Sequence, residues 1–452
     1  VNQLPVETQR MRASSAETAT RAQKAETAAE EARLEARRFA SALDTLNSDR
    51  DRLFARLSTL EQGLDSVTGS LSLSGNQALG ADSINLGIGD GSSGTLTLNS
   101  TAAHAVSGGL IQLGGGAGAT GSLTLSKGSL NAPNAQLAVG GIEGGADGAG
   151  TVAISGVGTS ATFGSIDLKD GFGVGNVTMS ISDANVKVND FMRVGRAAGG
   201  GTATINHTSG KLVVTNNVWV GDDQDAVGVY NISGNADFQV GPGFTDRTLR
   251  FGQRGQGTLN VSDNAHVQAG NIYVGQDGTS VGVVNQTGGV VESLGQGWVV
   301  MGDVDGSVGT YNMSGGLLRS NNDGIFVGQS GTGFFNLSGT GRIEATRLEV
   351  GRWTQFHGST MTQEGNTSVS LTGQANLVVG HQGEGIFNMK GGTFTTATAN
   401  SQDTNNWNWI AQDDNSKGDL NISGGTMTLS QRTFVGGRGQ GTINITGGEL
   451  HL

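Results

Sequence analysis

The chain contains no cysteine, three prolines in 452 residues and only 5% aromatic residues. Without cysteine there is neither a disulfide scaffold nor a thiolate metal site. Three prolines and the lack of a Gly-X-Y period exclude a collagen triple helix. No run of about 18 apolar residues occurs, so no membrane-spanning helix is expected. Positive charge is also scarce: 27 Lys and Arg face 39 Asp and Glu, a net of −12. Such a surface repels polyphosphate, which argues against nucleic acid as a partner. The opening residues carry no secretory pattern and begin with Val1, so a fragment or processed form is expected.

Glycine is abundant but uneven. Residues 1–68 hold a single one, Gly63, and the remaining 384 residues hold 77. That contrast predicts two segments, 1–68 and 69–452.

In the first segment, apolar residues recur every seven positions. Ala22, Ala29, Ala36, Leu43, Leu57 and Leu64 form one series, and Ala25, Ala32, Phe39, Leu46, Leu53, Leu60 and Val67 the other. Together they are the a and d seam of a left-handed coiled coil, broken only by Arg50 at an a position. Glu, Arg, Gln and Ala fill the space between, and no proline follows Pro5 in this segment. The segment is expected to be one long helix that needs partners. Two roles fit: a homo-oligomeric stalk, or a helix folded back to cap the open end of the second segment.

The second segment repeats one motif about fourteen times. Gly257-Thr-Leu-Asn-Val-Ser262, Gly309-Thr-Tyr-Asn-Met-Ser314, Gly333-Phe-Phe-Asn-Leu-Ser338 and Gly441-Thr-Ile-Asn-Ile-Thr446 show it most clearly. Each copy continues through a polar turn and a short apolar stretch to a third stretch ending in glycine, such as Gly324-Ile-Phe-Val-Gly328. Terminal glycines from Gly195 to Gly436 recur at about 23 to 31 residues, with Ile410-Ala411 standing in for one of them. Three short strands cannot bury their own apolar face, but stacked copies can. Alternation turns Leu259 and Val261 inward and Thr258 and Asn260 outward. A hairpin meander would need turns about every ten residues, and a propeller blade four strands. The expected fold is mainly β: a parallel β-helix, or β-solenoid, of about fourteen coils preceded by an N-terminal helix.

Stacking makes columns of equivalent positions. Asn206, Asn231, Asn260, Asn285, Asn312, Asn336, Asn388, Asn421 and Asn444 share one slot and are expected to form an amide ladder. Most also read as Asn-x-Ser/Thr glycosylation sequons, such as Asn231-Ile-Ser233, but sugars on neighbouring coils about 4.8 Å apart would collide. A second column, the outward residue of the third strand, holds Arg193, Trp219, Arg250, Tyr273, Phe326, Glu349 and Phe434. Exposed aromatics beside Arg can stack on sugar rings or seat a protein, and Arg193, Trp219, Arg250, Tyr273, Phe326 and Phe434 are the ligand-binding candidates. The competing role is to cover neighbouring side chains. Trp298, Trp353, Trp407 and Trp409 lie near irregular inserts.

Acidic corners such as Asp222-Asp223-Gln-Asp225 and Asp303-Val-Asp305 could offer Ca²⁺ two or three oxygens, fewer than the six it needs, so solvated turns are expected. Six scattered histidines, His104, His207, His266, His357, His381 and His451, pair with no repeated carboxylate or nucleophile. No catalytic residue, metal or cofactor is expected.

Residues 70–452 resemble the β-strand repeats of autotransporter passengers and related bacterial surface proteins. The shared signature is Gly-Thr-hydrophobic-Asn-hydrophobic-Ser-Gly-Gly followed by hydrophobic-x-Val-Gly, as in Gly309 to Gly328. The resemblance implies an extracellular β-helical stalk or adhesin on a bacterial cell surface. Two departures are that no membrane-barrel segment appears before Leu452 and that a coiled coil stands first, so a fusion is also considered. The expectation is a non-enzymatic structural or adhesive rod, homo-oligomeric through residues 1–68, with a head-to-tail or cell-surface partner, glycan among them. The alternatives are an end-to-end filament subunit and a tailspike-like β-helix that binds or cleaves polysaccharide.

Overall fold

The computed structural model describes residues 4–65, 68–143, 145, 148–197, 199–295, 297–353, 358–372, 377–397 and 407–452. Val67 and His357 lie outside the described residues. The chain divides into two units between Asp65 and Ser66.

The first unit is one helix, Leu4–Asp65, of 62 residues. At 1.5 Å per residue it is about 93 Å long. Its sequence favours helix throughout, and Pro5 sits in the first turn, where a missing N–H costs little.

The second unit buries its apolar residues by repetition: 36 strands, every recorded pairing parallel, are wound as one continuous sheet with three faces. One turn consists of Val308–Met313 on the first face, Leu317–Ser320 on the second and Gly324–Val327 on the third. The next turn lays Thr332–Leu337, Arg342–Ala345 and Leu348–Val350 beside them in matching register. Fourteen such turns are followed by Gln440–Ile445 and Glu449–His451, which begin another. In the early turns strands run through the corners, as in Thr120–Val139 and Ala149–Leu168, with register shifts at the bends. The fold is therefore a mainly β, parallel β-solenoid of about fourteen turns.

Alternation places the core. In Val308–Met313, Gly309, Tyr311 and Met313 are buried while Val308, Thr310 and Asn312 are partly exposed. Inward residues of all three faces make one unbroken apolar cluster from Ile84 to Leu429. Two buried polar pairs sit within it. His207 Nδ1 lies 3.1 Å from the Tyr230 hydroxyl, and the Tyr311 hydroxyl donates to Gln286 Oε1 at 2.7 Å. In both pairs the tyrosine reaches back one turn to the last inward residue of the first face. The polar tip of the ring is thus satisfied where water cannot reach it.

Candidate functional site: the outer columns

On the first face the asparagine column is hydrogen-bonded along the solenoid axis. Each Nδ2 donates to the Oδ1 of the preceding turn: Asn231 to Asn206 at 2.9 Å, Asn260 to Asn231 at 2.8 Å, Asn285 to Asn260 at 2.9 Å, Asn312 to Asn285 at 3.0 Å and Asn336 to Asn312 at 2.9 Å. The next position is Thr362, paired with Asn336 on one side and Asn388 on the other. The ladder resumes with Asn421 to Asn388 at 3.0 Å and Asn444 to Asn421 at 2.9 Å. Identical register at each step sets the amides one strand spacing apart, which matches a hydrogen bond once each side chain tilts slightly.

The third face carries a continuous outward column: Asp167, Arg193, Trp219, Arg250, Tyr273, Val300, Phe326, Glu349, Val378, Trp409 and Phe434 are neighbours in register. The structure divides it into stretches of different character. At its start Arg193 is committed: its guanidinium bonds buried Asp167 at 2.5 Å and lies 4.4 Å from the Phe191 ring centre. Arg196 bridges Asp170 and Glu143 alongside. Burial, then the neighbouring Asp167 charge, pushes the Asp170 carboxyl above the ordinary range despite Arg196.

The next stretch is a stack. Arg250 lies between the Trp219 and Tyr273 rings, 5.8 and 5.9 Å from their centres, and all three are half-buried. Burial lowers the Arg250 pKa and raises that of Tyr273. At the adjoining corners burial, reinforced by Asp223, lifts Asp222 to about 6, and burial with Asp277 lifts Asp303 to about 6. Gln329 Nε2 donates to Asp303 at 2.7 Å.

Phe326 departs from the expectation of an exposed ring. It is fully buried, although it points outward. Arg352 and Arg347 lie over it at 4.2 and 5.1 Å, and Trp298 meets it edge-on at 6.3 Å. Glu349, on the following turn, is 1% exposed and holds that cover in place, pairing with Arg347 at 3.0 Å, Arg352 at 3.3 Å and His381 at 3.2 Å. Burial alone would raise its carboxyl, but the His381 hydrogen bond and the two arginines outweigh that and hold it below the usual range. Two large cations have closed over an aromatic ring, so Phe326 offers a ligand nothing.

The last stretch is open. Phe434 stacks on Trp409 at 4.5 Å and 20°, and Trp407 leans on both at 5.1 and 5.6 Å. All three are half-buried. A Cβ on Gly437 would come within 2.6 Å of the Trp409 ring, so the bare glycine lets the indole lie flat over the corner. Trp409 was legible, since Trp409-Ile410-Ala411 occupies the place of Phe434-Val435-Gly436 with alanine in the glycine's corner.

The second face holds a pattern that reading single repeats misses. Lys211, Asp237, His266, Glu292, Arg319, Glu344 and Arg342 form one chain in which carboxylates alternate with nitrogen-bearing side chains. His266 touches a carboxylate with each nitrogen, Asp237 at 3.1 Å and Glu292 at 2.8 Å. Lining up the second stretches by turn would have shown it. Where the chain of charges ends and Ser368, Ser370 and Thr372 replace the long side chains, a shallow cleft of about 420 Å³ opens. Among the described residues no three His, Asp or Glu side chains converge as a metal site, and no helix is long and apolar enough to cross a membrane.

The geometry is that of repeated, mutually bonded columns, with aromatic groups left open at two places. No protein-family profile matches the chain, and no solved structure matches it. Over 91 residues, 20% of its length, the chain is 32% identical to an uncharacterized lipoprotein of Escherichia coli (strain K12), YdeK. The matched part is 7% of that lipoprotein, so the likeness is to one stretch of a much longer protein.

Proposed function

We propose that this chain is a non-enzymatic structural and adhesive rod of a bacterial cell envelope, exposed at the cell surface. One observation carries the reading: the outer side chains bond each other from turn to turn, so the surface as well as the core repeats stiffly at strand spacing. Fourteen turns at about 4.8 Å give roughly 65–70 Å of such surface. Weak contacts on a rigid array act together, because engaging one raises the effective concentration of the next. The autotransporter-like repeat signature and the stretch shared with a lipoprotein support an envelope location.

The contact site is the open part of the third face. The Trp407, Trp409 and Phe434 shelf presents flat apolar rings next to Arg438 and Asp413, which are paired at 3.1 Å. Rings with a polar edge suit the apolar face and hydroxyls of a pyranose. The Trp219, Arg250 and Tyr273 stack is the second contact. Binding to purified cell-surface polysaccharides, measured by surface plasmon resonance, tests the assignment. Trp409→Ala with Phe434→Ala should weaken retention at least tenfold, and incubation should release no reducing ends. Unchanged binding refutes the shelf, and release of reducing ends refutes the non-enzymatic reading.

A further inference from the structure

We propose that helix Leu4–Asp65 binds a second copy of itself as a parallel, in-register, two-stranded coiled coil. This inference stands independently of any adhesive role. Along the helix Phe39, Leu43 and Leu46 are 69%, 60% and 67% exposed, and Ala22, Ala25, Ala29, Ala32 and Ala36 continue the same stripe in solvent. Large apolar side chains at a and d positions are costly to leave in water.

The period of the stripe identifies the occupant. A strict seven-residue repeat drifts about 20° per heptad around a straight helix, so from Ala22 to Leu64 it turns through roughly 120°. A flat protein surface can follow that stripe for only a few turns. Another helix coiled around it stays in contact throughout, and a second copy carries the same period over the same length.

Charge sets direction and register. Counting Ala22 as a, the flanking g and e positions place Arg21 beside Glu26 of the second copy and Arg56 beside Glu61 in a parallel pair. The other g–e neighbours, Ala28 with Arg33, Glu35 with Ala40, Ala42 with Asn47 and Asp49 with Phe54, contain no like charges. The antiparallel pairing that aligns the two seams sets Glu26 against Glu61. Arg50 sets the number of strands. At an a site of a dimer a long Arg stem can carry its charge to the solvent edge, whereas a third strand encloses it.

The cysteine-free chain makes the test direct. Sedimentation equilibrium of the full chain at tens of micromolar should give twice 46.0 kDa. Ala22→Cys should oxidise to a covalent dimer, because a positions face each other in a parallel pair. Lys24→Cys, on the outer side, should not. Glu26→Arg should weaken dimerisation roughly two- to fivefold, and adding Arg21→Glu should restore it. A monomer, as a helix capping its own chain would give, overturns the proposal. So does a trimer, or a dimer in which the thiol introduced by Ala22→Cys stays reduced. Strand content by circular dichroism should be unchanged in every variant, since all substitutions lie outside the solenoid.

Discussion

At each of the fourteen corners that close the third face, one residue adopts a left-handed backbone conformation. Twelve are glycine, and the others are Lys169 at φ +61° and Ala411 at φ +65°. The glycines answer two demands at once. At Gly275, φ is +72°, and a Cβ would stand 2.2 Å from the Val308 carbonyl oxygen of the next turn. Gly275→Ala should therefore cost roughly 2–5 kcal/mol, from backbone strain plus overpacking. Ala411→Gly should do the reverse, adding about 0.5–1 kcal/mol by relieving strain against a small entropic cost. Urea denaturation midpoints of both variants check the pair, and a stabilising Gly275→Ala would refute the account. Most of these corners are legible as the glycine that ends each repeat. Lys169 is not, because its fitness depends on a contact the sequence does not display: its Nζ donates to the Gly173 carbonyl at 2.8 Å.

Elements in this fold gain strength from their neighbours rather than from themselves. A six-residue strand is marginal alone, but in the stack it pairs on both sides and adds one amide to a ladder. Thr362 splits that ladder in two, since it sits between Asn336 and Asn388 with a side chain too short to bridge them. Thr362→Asn should join the two halves through two new hydrogen bonds and stabilise the solenoid by about 0.5–1.5 kcal/mol, after the entropy of fixing the amide. Calorimetry checks it. A lowered transition temperature would mean that the local backbone cannot carry the ladder geometry. The column itself is visible in the sequence because one residue type recurs in one slot. The chain from Lys211 to Arg342 is hidden in any single repeat, because its members differ in kind, and emerges only when the second stretches are aligned turn by turn.

For the whole molecule, the core that joins all turns makes local protonation a global matter. His207 is fully buried, and desolvation lowers its pKa from 6.5 to about 4. An unfolded chain binds that proton more readily, so the stabilisation from a neutral His207 is complete above pH 6.5 and is lost as pH falls to about 4. Its size is about 3 kcal/mol. Asp222 and Asp303, lifted to about 6, act in the opposite sense: folding becomes easier as they are protonated below that value. The His207 contribution is isolated by His207→Gln, which copies the Gln286–Tyr311 pairing found further along the solenoid and carries no titrating group. The variant should retain at about pH 4.5 more of its neutral-pH stability than the native chain. Equal losses in the two proteins would show that His207 does not sense acid.

By itself the sequence determined what repeats at short range. Alternation, a seven-residue seam and a recurring glycine are local consequences of strand, helix and corner geometry, and they specify a long helix followed by a parallel β-solenoid. Which side chains meet across turns was decided only by the tertiary structure. Outward direction could be read for Phe326 and Phe434 alike, yet Arg347 and Arg352 close over the first and Trp409 stacks against the second. The pattern along one strand says which way a side chain points. Whether anything then lies on top of it depends on residues about twenty-five positions away, brought there by the winding of the chain.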